Sequence, residues 1–98
     1  MTLSTHVLDL AAGGPAAGVV VTLLGVDGPS VAAGTTGADG RLQFETELPA
    51  GDYTLRFELG AVTELFDSVS LGVRLRDQRH YHLPLLVSPF GLSAYRGT

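Results

Sequence analysis

Apolar and polar residues alternate with a period of two along much of this chain, and Gly, Pro, Asp and Ser interrupt the alternation at short intervals. Successive side chains of a strand point to opposite faces, so this pattern predicts short strands joined by turns, an all-β sandwich. Residues 3–10 make the first predicted strand, and residues 11–15 a turn. From Val19 to Leu24 nearly every position is apolar, which predicts a strand covered on both faces. A weaker strand spans 31–36, and Gly37-Ala38-Asp39-Gly40 is expected to form a tight hairpin turn, because Asp-Gly readily supplies positive φ. Arg41 opens a fourth strand in which Leu42 and Phe44 alternate with Arg41, Gln43 and Glu45. The clearest alternation follows Gly51-Asp52: Tyr53, Leu55, Phe57 and Leu59 face one way, Thr54, Arg56 and Glu58 the other. Residues 61–66 leave room for one helical turn at most. Val69, Leu71, Val73 and Leu75 mark the sixth strand, and residues 80–87 and 92–97 the last two.

Faces can be assigned in the seventh predicted strand. Tyr81, Leu83, Leu85 and Val87 share one side, and His80, His82, Pro84 and Leu86 the other. If the first set fills the core, both histidines face outward. Pro84 has no N–H to give a ladder, so it is expected at an edge or a bulge.

A chain of 98 residues is one domain, 1–98, that buries roughly two-thirds of its unfolded surface and gains from a partner subunit. Charged residues are 16% of it, against about 25% in an average domain. Much of its surface is therefore apolar or small, which suggests burial in an oligomer. Lysine is absent and the formal net charge is −4, with no basic stripe, so neither nucleic acid nor an anionic membrane is an expected partner. Cysteine is absent, which rules out thiolate metal sites and disulfides and suits a cytoplasmic location. No apolar run approaches the ~18 residues of a membrane span.

Two segments carry candidate chemistry. One is Ser4-Thr5-His6-Val7-Leu8-Asp9 with Gly14-Pro15-Ala16 behind it; the other is His80 through Thr98, closing on Tyr95-Arg96-Gly97-Thr98. Together with Thr36 to Arg41 around the Asp39-Gly40 turn, they give the chain a resemblance to the 5-hydroxyisourate hydrolases, also called transthyretin-like or transthyretin-related proteins. The resemblance covers essentially the whole chain and is strongest in the terminal motif. It implies a transthyretin-like (prealbumin-like) sandwich of two four-stranded sheets, with the family's usual short helix shortened or absent near residues 59–66. It also implies a homotetramer with active sites in a central channel between dimers, and hydrolytic opening of 5-hydroxyisourate in urate catabolism. By motif, the family's catalytic residues fall on His6, Arg41 and His82, with Tyr95, Arg96, Gly97 and Thr98 shaping the substrate pocket. The family usually ends in serine; Thr98 keeps a hydroxyl and adds a methyl.

These residue types suit the reaction. Water must attack a lactam carbonyl, and charge builds on the carbonyl oxygen and on the departing ring nitrogen. A neutral imidazole is a base near working pH, and a guanidinium holds an oxyanion with a planar fork of donors. Either His6 or His82 can be the base, the other orienting water or substrate, with His80 in support. Three histidines could suggest zinc, but no His-x-x-x-His helix or Cys pair frames a site, so neither metal nor cofactor is expected. Two other classes compete: a non-catalytic sandwich module, which would account for residues 14–59 but not for His6 or the terminal motif, and a transthyretin-type carrier of a small molecule. A carrier needs no base and gains from a more apolar channel.

Overall fold

A computed structural model describes residues 1–77 and 79–97. Among the described residues nine strands run in chain order: β1 (Thr2–Asp9), β2 (Gly14–Pro15), β3 (Val20–Leu24), β4 (Ser30–Thr35), β5 (Arg41–Phe44), β6 (Gly51–Glu58), β7 (Ser68–Leu75), β8 (His80–Val87) and β9 (Leu92–Ala94). They form two sheets. One has the order β4-β3-β6-β7, wholly antiparallel; the other runs β2-β1-β8-β9, with β5 also paired to β1. The fifth strand of that sheet beyond the four expected is the two-residue β2, which pairs with Leu8 and Asp9 where β5 leaves β1 free.

Alternation sorts the strands onto a shared core. Leu3 and Val7 from β1, Val21 and Leu23 from β3, Leu55 and Phe57 from β6, and Leu85 and Val87 from β8 are all buried between the sheets. Tyr53 and Leu59 are buried on the same side as Leu55 and Phe57, as the sequence pattern implies. Between β6 and β7 the described residues contain no helix. The carbonyl of Leu59 accepts from the N–H groups of Val62 and Thr63, which makes a single turn before the chain re-enters the sheet.

Three expectations change. Val20 is 45% exposed, so within one chain β3 is covered on one face only: its sheet has the core on one side and no layer on the other. The Asp39-Gly40 turn is not a hairpin. It joins β4 to β5 in opposite sheets, and Gly40 passes its carbonyl to the N–H of Val7, which locks the corner onto β1. Pro84 lies on an inner strand, β8, and is buried. It is tolerated because it sits where the regular ladder to β9 stops at Ala94; beyond that point the tail is held by a 3.4 Å bond from Tyr95 N–H to the Pro84 carbonyl and by the bridge of His82 with Gly97.

Gly40 is the tightest corner. Its φ is +76°, and a Cβ there would lie 2.5 Å from the carbonyl oxygen of Val7 and 2.9 Å from Pro15 Cβ. Gly13 has nearly the same φ, +75°, with open space around it. Gly13→Ala is expected to cost about 1 kcal/mol, the ordinary penalty of a left-handed alanine. Gly40→Ala adds a backbone collision and should cost clearly more. Urea unfolding of both variants makes the comparison, and equal losses would show that the corner relaxes freely.

Candidate active site

Strand register builds the site. β1 runs parallel to β8 and antiparallel to β5; it sets Ser4 between His82 and Gln43, and His6 between Pro84 and Arg41. Directly opposed residues of paired strands share a face. Period two therefore brings Thr2, Ser4 and His6 of β1, Arg41 and Gln43 of β5, and His80 and His82 of β8 onto the outer face of this sheet, while Leu3, Val7, Tyr81 and Leu85 fill its inner face.

The C-terminal tail closes one side. Gly97 N–H donates to the His82 carbonyl at 2.7 Å, and a Cβ on Gly97 would stand 2.7 Å from His82 Cδ2, so any side chain there would strike the imidazole. Arg96 lays its guanidinium 4.8 Å from the centroid of the Tyr81 ring, a cation–π distance that restrains it. Ser4, Thr5, Arg41, Leu42, Gln43, His80, His82, Arg96 and Gly97 line a cavity of about 770 Å³.

Four of the expected residues, Arg41, His82, Arg96 and Gly97, thus meet at one cavity. His6 stands beside it without lining it, because its ring is turned to the Asp39 carbonyl, 2.9 Å from Nε2. A carbonyl can only accept, so His6 Nε2 is a donor there. The Asp39 side chain in turn accepts from Arg41 N–H at 3.0 Å, which fixes the turn that presents Arg41. Tyr95 is 53% exposed and lies outside the cavity wall of a single chain. Thr98 lies outside the described residues. Ser4, Gln43 and His80 are lining residues that motif reasoning left out of the binding set. The signal for Ser4 and Gln43 was present: each is two residues from a named site residue and so on the same face.

Electrostatics distinguish the imidazoles. Burial of the His82 ring pushes its pKa below the ordinary 6.5, and the nearby positive charge of Arg41, with smaller effects of His6 and His80, pushes it the same way. His82 is therefore held neutral at working pH. Among the described residues Arg41 has no carboxylate within ion-pair distance, and its charge reaches the His82 ring. A neutral imidazole beside a guanidinium on the same sheet face can accept a proton from water while a developing oxyanion is held by the cation.

The depressed pKa has a thermodynamic sign. Between the folded pKa and 6.5 the unfolded chain binds the His82 proton more tightly, so this group makes stability rise with pH across that window and adds no slope above it. Urea unfolding from pH 5 to 8 is expected to show that rise, and His82→Gln is expected to flatten it. An unchanged slope in the variant would place the proton uptake elsewhere.

The model of the HIUase/Transthyretin family matches residues 3–97. The 5-hydroxyisourate hydrolase of Mesorhizobium japonicum is 41% identical to the chain, covering 98% of it and 91% of the relative. Among solved structures, Klebsiella pneumoniae 5-hydroxyisourate hydrolase superposes with a TM-score of 0.90 at 40% identity over 100% of both chains. Sea bream transthyretin, solved with thyroxine, superposes with a TM-score of 0.86 at 28% identity, over 98% of this chain and 94% of its own.

Proposed function

The chain belongs to the HIUase/transthyretin family, and from that premise and its site we propose that it is a hydrolase that opens the ring of 5-hydroxyisourate in purine catabolism. The observation that carries this reading is the convergence of His82 and Arg41 on one cavity, with His6 opposite Arg41 on the adjoining strand. His82 takes a proton from water as the oxygen adds to a lactam carbonyl carbon. Arg41 holds the oxyanion, and the C–N bond then breaks as the proton passes to the leaving ring nitrogen. The product is an oxo-hydroxy-carboxy-ureidoimidazoline. His6, its Nε2 donating to Asp39, orients substrate or water. Arg96 and Gly97 shape the pocket, and the motif assigns Tyr95 and Thr98 to the same substrate-binding set. No step needs a metal or a cofactor.

The fold alone does not separate this reading from a carrier, since a hydrolase and a transthyretin both superpose on it. The site does: imidazoles and a guanidinium crowd the cavity face where a carrier of an apolar ligand would need an apolar wall. A purely structural sandwich module would have no use for that face.

We also infer that the protein works as a cytoplasmic homotetramer with C₂-related interfaces, the outer face of the β1-β8 sheet turned into a channel between dimers. Its low content of charged residues, 16%, and the exposure of Val20 (45%) and Phe90 (84%) support burial against further copies. Light scattering at micromolar concentration is expected to give four times the chain mass; a fully active monomer would remove the channel from the mechanism.

His82→Ala and His6→Ala should each lower turnover of freshly generated 5-hydroxyisourate by ~10²-fold or more, with cooperative folding retained. Parent-like rates in either variant would take that histidine out of the chemistry. Exhaustive chelation should leave the rate unchanged. Because the base must be neutral, kcat/KM is expected to fall on acidification with a midpoint below the ordinary imidazole value of 6.5.

A further inference from the structure

Ser4 makes an unusual pair of contacts. Its Oγ lies 2.8 Å from His80 Nε2 and 2.7 Å from His82 Nδ1, and His80 Nδ1 lies 2.6 Å from the hydroxyl of Thr2. The Thr2 hydroxyl also reaches the carbonyl of Arg79, at 3.5 Å. Four groups of β1 and β8 are thus joined in one file, Thr2, His80, Ser4, His82, beginning at Thr2, passing through the exposed His80 and ending on the ring assigned as base.

Each hydroxyl has one proton, and a neutral imidazole has one donor and one acceptor nitrogen. Ser4 can donate to one of its two rings only, and the other must donate to it. Two arrangements exist. If Ser4 donates to His82, then His80 Nε2 donates to Ser4, the Thr2 hydroxyl must turn to His80 Nδ1, and its contact with the Arg79 carbonyl goes unused. If Ser4 donates to His80, every contact is used: Thr2 donates to the Arg79 carbonyl, His80 Nδ1–H to Thr2, Ser4 to His80 Nε2, and His82 Nδ1–H to Ser4.

We propose that Ser4 and His80 are positioning residues that hold His82 with its proton on Nδ1, leaving the Nε2 lone pair to take the proton from water. This rests on the hydrolase reading given above. The role is that of the third group in a base-orienting set: it selects the tautomer and turns the ring. When Nε2 accepts its proton, the Nδ1–H bond to Ser4 becomes charge-assisted and stronger, which stabilises the imidazolium that forms. His80 keeps the Ser4 proton directed away from His82. The residue left outside the catalytic set on motif grounds thereby acquires a place in the reaction.

The test is the ¹⁵N NMR spectrum of the full chain labelled in histidine at pH 7.5, where protonated and lone-pair ring nitrogens resonate far apart. The parent is expected to show His82 with Nδ1 protonated and Nε2 free. Ser4→Ala should release the ring to the Nε2–H form that free imidazole side chains favour in water, and kcat should fall about 10–100-fold with KM near that of the parent. Ser4→Thr, which keeps the hydroxyl, should restore most of the loss. A parent His82 that carries its proton on Nε2 overturns the proposal, as does a Ser4→Ala protein with the kcat of the parent. Should Ser4→Ala not fold, the parent spectrum alone decides. If the parent leaves 5-hydroxyisourate intact yet holds the His82 proton on Nδ1, the hydrolase reading fails and the positioning stands.

Discussion

The parallel ladder between β1 and β8 is the constraint on which the rest of the molecule depends. It joins residues 2–9 to residues 80–87 over their whole length, one pair for every residue. On its inner face it supplies Leu3, Val7, Tyr81, Leu85 and Val87 to the core; on its outer face it sets Ser4 against His82. Because side chains alternate with a period of two, a slip of one residue between these strands would send the histidines into the core and the leucines into the cavity. The hydrophobic core and the site are therefore specified by the same register, and neither can be moved without the other.

Around that ladder the site is assembled from backbone-fixed pieces. Gly40 locks the β4-β5 corner against Val7, Asp39 binds both the Arg41 N–H and the His6 ring, and Gly97 gives the tail contact with the His82 imidazole. Such anchoring fixes the backbone that presents Arg41 and the imidazoles to the cavity. The low pKa of His82 follows from the same crowding: burial and neighbouring positive charge both disfavour its protonated form.

Much of this was legible in the sequence. Alternation located eight of the nine strands and the inward faces of β6 and β8, since those patterns report one buried face directly. The motifs led to Arg41, His82, Arg96 and Gly97, which meet at the cavity. What escaped depends on which strand lies next to which. Pro84 looked like an edge residue because only the ladder pattern shows that its missing N–H points where β9 loses regular pairing. Asp39-Gly40 looked like a hairpin because the same dipeptide serves a corner between sheets. The link of Ser4 to two histidines needs the β1-β8 register, which joins residues 78 apart in sequence and leaves no local trace.

That separation has a consequence in time. Every contact in the β1-β8 ladder closes a loop of nearly the whole chain, so its entropic cost is met only after most of the sandwich exists. During synthesis the β3-β4-β6-β7 sheet, built from sequence neighbours, can pair first, while β1 has no β8 to join until residues 80–87 have been made. Until then β1, which can pair only with β2 and β5 on its other side, keeps its β8 side open, an edge that another chain could capture. The arrangement that makes the site rigid in the finished protein therefore makes it among the last parts of the nascent one to form.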